Sequence, residues 1–231
     1  MARPTVFLFD IDGTLITTGG AGRRAMERAF GLVHGRPDAM TFPMDGMTDR
    51  LIVRQALHHI GAAATDAAID LVLAGYVDVL REEVTACPDD RYRVHAGMRE
   101  AIDGARARGA AVGLGTGNIR VGAQVKLARV GLGDAFRFGG FGCDAEDRVA
   151  LIRIGAQRGA AELGAALADC RVVVIGDTPK DVAAAQAIGA ECVGVGTGHY
   201  TPEALLACGA TAAFSDLADP GAAAALYGAA A

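Results

Sequence analysis

Thr5-Val6-Phe7-Leu8-Phe9-Asp10-Ile11-Asp12-Gly13-Thr14 is the stretch on which the fold turns. Its first five residues are an unbroken run rich in β-branched and aromatic side chains, which predicts a short strand buried on both faces, as in a parallel sheet. The run stops at two carboxylates spaced i, i+2, and these lie on the same side of an extended chain. Gly13 then permits a tight turn or a close backbone approach that a Cβ would obstruct. Aspartate is depleted in strands, and burying it unpaired is unfavourable. An Asx-turn that closes the strand accounts for one of the two aspartates and leaves the other unexplained, so the pair points to chemistry.

Outward from that stretch, 231 residues with 52% hydrophobic and 21% charged side chains describe a soluble globular chain able to bury a sizeable core. A net charge of -5 without basic blocks argues against a nucleic-acid partner. No apolar run is long enough to span a bilayer, and the first strand begins too early to leave room for a signal peptide, so no membrane partner is expected. Cys87, Cys143, Cys170, Cys192 and Cys208 are odd in number and scattered, which fits reduced thiols in a cytoplasmic protein. The histidines have no partners at zinc spacing.

After the first strand, small residues at 17–22 suit a hinge. Helical spacing follows over 23–33. Thr48 then caps a helix with Ile52, Ala56 and Ile60 facing inward and Arg50, Arg54 and His58 on the opposite, polar side. A longer helix covers 65–85. Residues 17–90 thus read as an all-helical unit inserted into an α/β core formed by 1–16 and 91–231. In that core, helices at 97–108, 121–130, 148–163 and up to 188 alternate with strands at 111–115, 171–175 and 192–195. A short helix follows Pro202 and a last strand lies near 212–214, while 135–142 is ambiguous and the Ala-rich tail from Gly221 is weakly informative. Repeated βα units predict a Rossmann-like, doubly wound parallel sheet. Two glycine-rich segments, 113–118 and 194–199, lack the sixth-position glycine of a dinucleotide fingerprint.

Ligands of an open parallel sheet collect outside the carboxyl ends of its strands. Three predicted strands end in polar residues, at Asp10, at Thr116-Gly117-Asn118, and at Gly176-Asp177-Thr178-Pro179-Lys180-Asp181. If those strands are neighbours, Asp10, Asp12, Asp177 and Asp181 converge, and four carboxylates in one crevice call for a cation. All-oxygen ligation with open water positions suits Mg²⁺. Thr116, Asn118 and the N–H groups at the start of the next helix suit phosphate oxygens.

Those three segments, in this order and each at a strand end, resemble the motifs of the haloacid dehalogenase superfamily of phosphohydrolases over nearly the whole chain. The helical insertion resembles the C1-type cap of its phosphoglycolate phosphatase-like branch. The resemblance implies that Asp10 attacks phosphorus to form an aspartyl-phosphate, and that Asp12 protonates the leaving oxygen and later activates water. It implies Mg²⁺ held by the Asp10 carboxylate, the Asp12 carbonyl and Asp177, with Asp181 reached through water or supporting the shell. Thr116 would belong to the catalytic set, with Gly117 and Asn118 in contact with substrate. The family's phosphate-anchoring cation has no Lys-Pro counterpart here; Arg148, at a helix start, is the first candidate and Lys126 the second. Gly46-Met47-Thr48-Asp49-Arg50 resembles the cap loop that faces the site, so Arg50 is expected to anchor an anionic substrate group; the alternative is that Thr48 and Asp49 only cap a helix and Arg50 is solvated. The function implied is a Mg²⁺-dependent phosphatase of a small phosphorylated metabolite, such as phosphoglycolate or a sugar phosphate. A phosphomutase of the same fold, a C–halogen hydrolase and a non-catalytic phosphate-binding module are the alternatives.

Overall fold

In β1 (Thr5–Phe9), Val6 and Leu8 join the apolar core on one face of the sheet, and Phe7 and Phe9 join the core on the other. The uniform apolar run is therefore explained by a period of two with both faces covered. The computed structural model describes residues 3–228. In it β1 is central, flanked in parallel by β4 (Ala111–Thr116) and β6 (Arg171–Gly176). With β5 (Gly139–Phe141), β7 (Glu191–Val195) and β8 (Ala212–Phe214), the sheet has the order β5-β4-β1-β6-β7-β8, parallel throughout. The ambiguous segment at 135–142 thus contains an edge strand, β5.

Three helices precede the second half of the core. They are α1 (Ala21–His34), α2 (Asp49–His59) and α3 (Asp66–Ala86). Thr48 caps α2 as its position predicts, its hydroxyl accepting from the Leu51 N–H at 3.3 Å. The side chains of Ala25, Phe30, Leu57, Ile69 and Leu80 are buried in the same apolar core as Phe9 and Ile175, so the insertion is continuous with one face of the sheet. The sequence places a hinge at 17–22, but Ala21 and Gly22 already belong to α1. The chain leaves and re-enters the core through a two-stranded antiparallel ribbon, β2 (Ile16–Thr17) with β3 (Arg93–Val94).

The core helices α4 (Met98–Ala107) and α5 (Arg120–Ala128) lie on the cap side of the sheet. On the opposite face lie α6 (Arg148–Glu162), α7 (Pro179–Ala187) and α8 (Pro202–Ala207). The Ala-rich tail forms α9 (Ala222–Tyr227), and Tyr227 stacks edge-on against Phe7 with ring centroids 6.0 Å apart. All five cysteines are free, and among the described residues no helix is long and apolar enough to cross a membrane.

Candidate active site

The register puts Phe9 beside both Leu114 and Ile175, so the three strand ends predicted to carry chemistry finish level with one another. Beyond them opens a cavity of about 440 Å³, bounded on the core side by Asp10, Asp12, Asn118, Lys126, Arg148 and Asp177. Cap residues Met26, Asp49, Ile52 and Tyr76 close it from the other side.

Asp10, Asp177 and Asp181 are all buried and bring carboxylate oxygens within 4.8 Å of one another. One cation meets them. The Arg148 guanidinium donates to Asp10 Oδ2 at 2.6 Å and through Nε to Asp181 Oδ1 at 3.0 Å. Arg148 is the first residue of α6, whose N-cap Asp147 accepts from the Ala150 N–H at 2.8 Å. Burial pushes the Asp177 carboxyl well above the usual carboxylate range, and the neighbouring Asp181 and Asp10 add to the rise. Asp10 is raised chiefly by burial, against the opposing pull of Arg148. For Arg148, burial works downward, but Asp181 and Asp10 outweigh it and hold the guanidinium charged. Three buried carboxylates against one guanidinium leave an excess of negative charge that a hard divalent cation would neutralise.

The oxygens of the triad are not equally free. Asp181 Oδ2 accepts from the Thr178 N–H at 3.1 Å and its hydroxyl at 2.7 Å, while Oδ1 serves Arg148. Asp177 Oδ1 accepts from the Thr14 hydroxyl at 2.7 Å. Space around Asp177 Oδ2 depends on glycines: a Cβ on Gly13 (φ +78°) would stand 2.3 Å from it, and one on Gly198 1.9 Å. This donor set fits a cation held by Asp10 and Asp177, with Asp181 bracing the group.

Asp12 stands apart from that triad. Its side chain is 42% exposed, and its Oδ2 accepts from Lys126 Nζ at 2.6 Å and Asn118 Nδ2 at 2.8 Å. Thr116 is fully buried beneath, its hydroxyl accepting from the Asn118 N–H at 3.3 Å and Nδ2 at 2.9 Å. Gly117 and Asn118 line the cavity, whereas Thr116 shapes the turn that presents them. Of the two candidate phosphate anchors, Arg148 reaches Asp10 and Lys126 reaches Asp12.

Arg50 requires correction. It does not line the cavity: its guanidinium pairs with Asp66 at 2.9 Å, with Asp70, and with Glu146 at 3.5 Å. Arg54 forms a two-pronged pair with Glu146, at 2.7 and 2.8 Å. The polar face of α2 is therefore drawn to carboxylates, one of them on the core, and Arg50 has no guanidinium edge left for substrate. Its neighbour Asp49 faces the site instead, accepting from the Ile119 N–H at 2.8 Å while its own N–H donates to Gly117 O at 2.8 Å. Burial raises the Asp49 carboxyl to about 6, opposed by Lys126 and the Ile119 N–H.

Sequence reasoning missed Tyr76 and Asp49 as site residues, although both lie on helices it predicted. It also set aside 194–199 as a failed fingerprint, yet Thr197, Gly198 and His199 line the cavity. Their position just after a strand was the available signal.

The family model for haloacid dehalogenase-like hydrolases matches residues 7–186, and a second, HAD-hydrolase-like model matches 153–220. Among solved structures, CbbY from Rhodobacter sphaeroides in complex with phosphate is similar at a TM-score of 0.70 and 16% identity, over 94% of this chain and 96% of that one. A predicted phosphoglycolate phosphatase from Haemophilus somnus 129pt gives 0.65 and 18%, over 95% and 97%. A putative β-phosphoglucomutase from Bacteroides vulgatus gives 0.64 and 20%, over 97% and 88%. No curated protein sequence matches the chain.

Proposed function

The chain belongs to the haloacid dehalogenase-like hydrolases, and from that premise we propose that it is a Mg²⁺-dependent phosphatase of a small phosphorylated metabolite, working through an aspartyl-phosphate on Asp10. The observation that carries this reading is the division of labour between two aspartates one residue apart. Asp10 is buried against Arg148 in the acidic triad, whereas Asp12 is half-exposed at the cavity and can move a proton.

In the first half-reaction Asp10 attacks phosphorus, the bond from phosphorus to the ester oxygen breaks, and Asp12 gives that oxygen its proton. In the second, water gives a proton to Asp12 as its oxygen attacks phosphorus, and the bond to Asp10 breaks to restore the carboxylate. Arg148 holds Asp10 in place through Nη2, and its Nη1, which makes only a 3.4 Å contact with the Gly46 carbonyl, suits a phosphoryl oxygen. The Asp10 and Asp177 carboxylates and the Asp12 carbonyl would hold the cation, which supplies neutralisation of phosphoryl charge when bound. Uncatalysed monoester hydrolysis is so slow that accelerations reach on the order of 10²¹, and fixed charges in a water-excluded site are the largest single contribution available. Residues 17–90 act as a cap that completes that enclosure and chooses the substrate. The neighbours named for phosphoglycolate and sugar phosphates suggest those classes.

A panel of phosphorylated metabolites assayed with and without Mg²⁺ tests the reading. Release of inorganic phosphate that needs Mg²⁺, without an isomerised product, is expected; an isomerised sugar phosphate in its place would make the chain a mutase.

A further inference from the structure

Lys126 is a buried cation that the proposed reaction does not yet use. It is 3% exposed, and its Nζ donates to Asp12 Oδ2 and to Asn118 Oδ1, both at 2.6 Å. Asn118 closes the triangle by donating to the same Asp12 oxygen at 2.8 Å. Oδ1 of Asp12 accepts no hydrogen bond among the described residues. The backbone of Lys126 is fixed as well, because the Tyr92 hydroxyl donates to its carbonyl at 2.8 Å, tying α5 to the segment where the chain re-enters the core. On the opposite side the ammonium meets the cap. A Cβ on Gly22 of α1 would stand 2.9 Å from Nζ, 3.3 Å from Cε and 3.9 Å from the Tyr76 hydroxyl. Gly22 is thus the position that leaves the ammonium its room.

We propose that Lys126 is a positioning residue for Asp12: with Asn118 it pins Oδ2, leaves Oδ1 turned to the leaving-group oxygen, and depends on the absence of a side chain at Gly22 to stay there. The inference rests on the phosphatase reading. An ammonium this buried must be well paired to be tolerated, and proton transfer by a positioned group is sensitive to small misplacement. Charge that develops on Asp12 as it gives up its proton is met by a fixed ammonium.

The test compares two esters by kcat/KM, which covers the steps through formation of the aspartyl-phosphate. An alkyl phosphate needs its leaving oxygen protonated, whereas p-nitrophenolate departs without a proton. Lys126→Met is expected to lose about 10²-fold on the alkyl ester and much less on p-nitrophenyl phosphate, with the Mg²⁺ activation constant unchanged. Gly22→Ala keeps Lys126 but displaces its ammonium. It is expected to show the same ester-dependent loss at about tenfold, with circular dichroism showing the fold retained. If Lys126→Met does not fold, the glycine variant alone decides. Equal losses on both esters, or no loss on either, overturn the role of Lys126. A wild-type chain that releases phosphate from neither these esters nor any member of the metabolite panel with Mg²⁺ refutes the phosphatase reading itself, and this inference with it.

Discussion

Asp10 and Asp12 are separated by one residue, yet they occupy two different regions of one cavity. Asp10 lies in an inner region built by core strand ends and the first turns of α6 and α7, buried with Asp177 and Asp181 and matched by Arg148. Asp12 lies in an outer region shared by core and cap, half-exposed and matched by Lys126, with Asp49 and Tyr76 arriving from the insertion. The i, i+2 spacing explains how one strand end supplies both regions. It also separates two demands that conflict on a single side chain, namely holding phosphoryl charge and moving a proton. Each region carries its own buried cation, and substitutions in the two should fail in different ways.

The largest contrast is expected from Asp10→Asn, which should abolish phosphate release under every condition while circular dichroism shows the fold retained. Arg148→Ala comes next. It leaves Asp10 and Asp181 buried without their guanidinium, and breaking such a pair typically destabilises by about 3–5 kcal/mol. Urea unfolding should show that loss, and a phosphate-release assay should show turnover greatly reduced. A near-normal Arg148→Ala enzyme would remove the inner region's distinguishing feature.

Asp49→Asn sharpens the comparison on the outer side. Asp49 has a carboxyl raised from 3.8 to about 6 by burial, so the folded state holds an extra proton in that window. Stability should therefore fall as pH rises from about 4 through 6, by linkage. The asparagine still accepts from the Ile119 N–H and should lose that slope, as Tm measured against pH would show. The smallest effect is expected from Arg50→Ala. Its partners Asp66, Asp70 and Glu146 lie away from the cavity, and partly exposed pairs of this kind contribute about 0–1 kcal/mol. Its KM should stay within about twofold of the wild type by that measure. A large rise in KM would return Arg50 to the substrate.

What the sequence made legible follows the same division. The inner region could be read because each part sits at a strand end behind an apolar run, as with Phe9 before Asp10 and Ile175 before Gly176-Asp177. Arg148 could be found because it stands at a predicted helix start between the second and third segments. The outer region could not be read the same way. Lys126 and Asp12 lie 114 positions apart, and a lysine on a helix after a strand end looks like any solvated charge. Arg50 and Arg54 on one face of α2 likewise look solvent-facing, although Glu146 of the core draws both in. The ribbon of β2 and β3 has two residues in each strand, too few for any period to register. The helix α9 has a small-residue run without a side-chain cap, and Ala222, Leu226 and Tyr227 alone give it an apolar grip.

The central claim is that Asp10 itself carries the phosphoryl group. Rapid acid quenching of the wild-type chain with Mg²⁺ and a radiolabelled phosphomonoester, followed by peptide mapping, tests it most directly. Label on the peptide that contains Asp10, absent from Asp10→Asn, is the predicted result. Steady release of phosphate with no label on that peptide, or with label on another residue, would contradict the account.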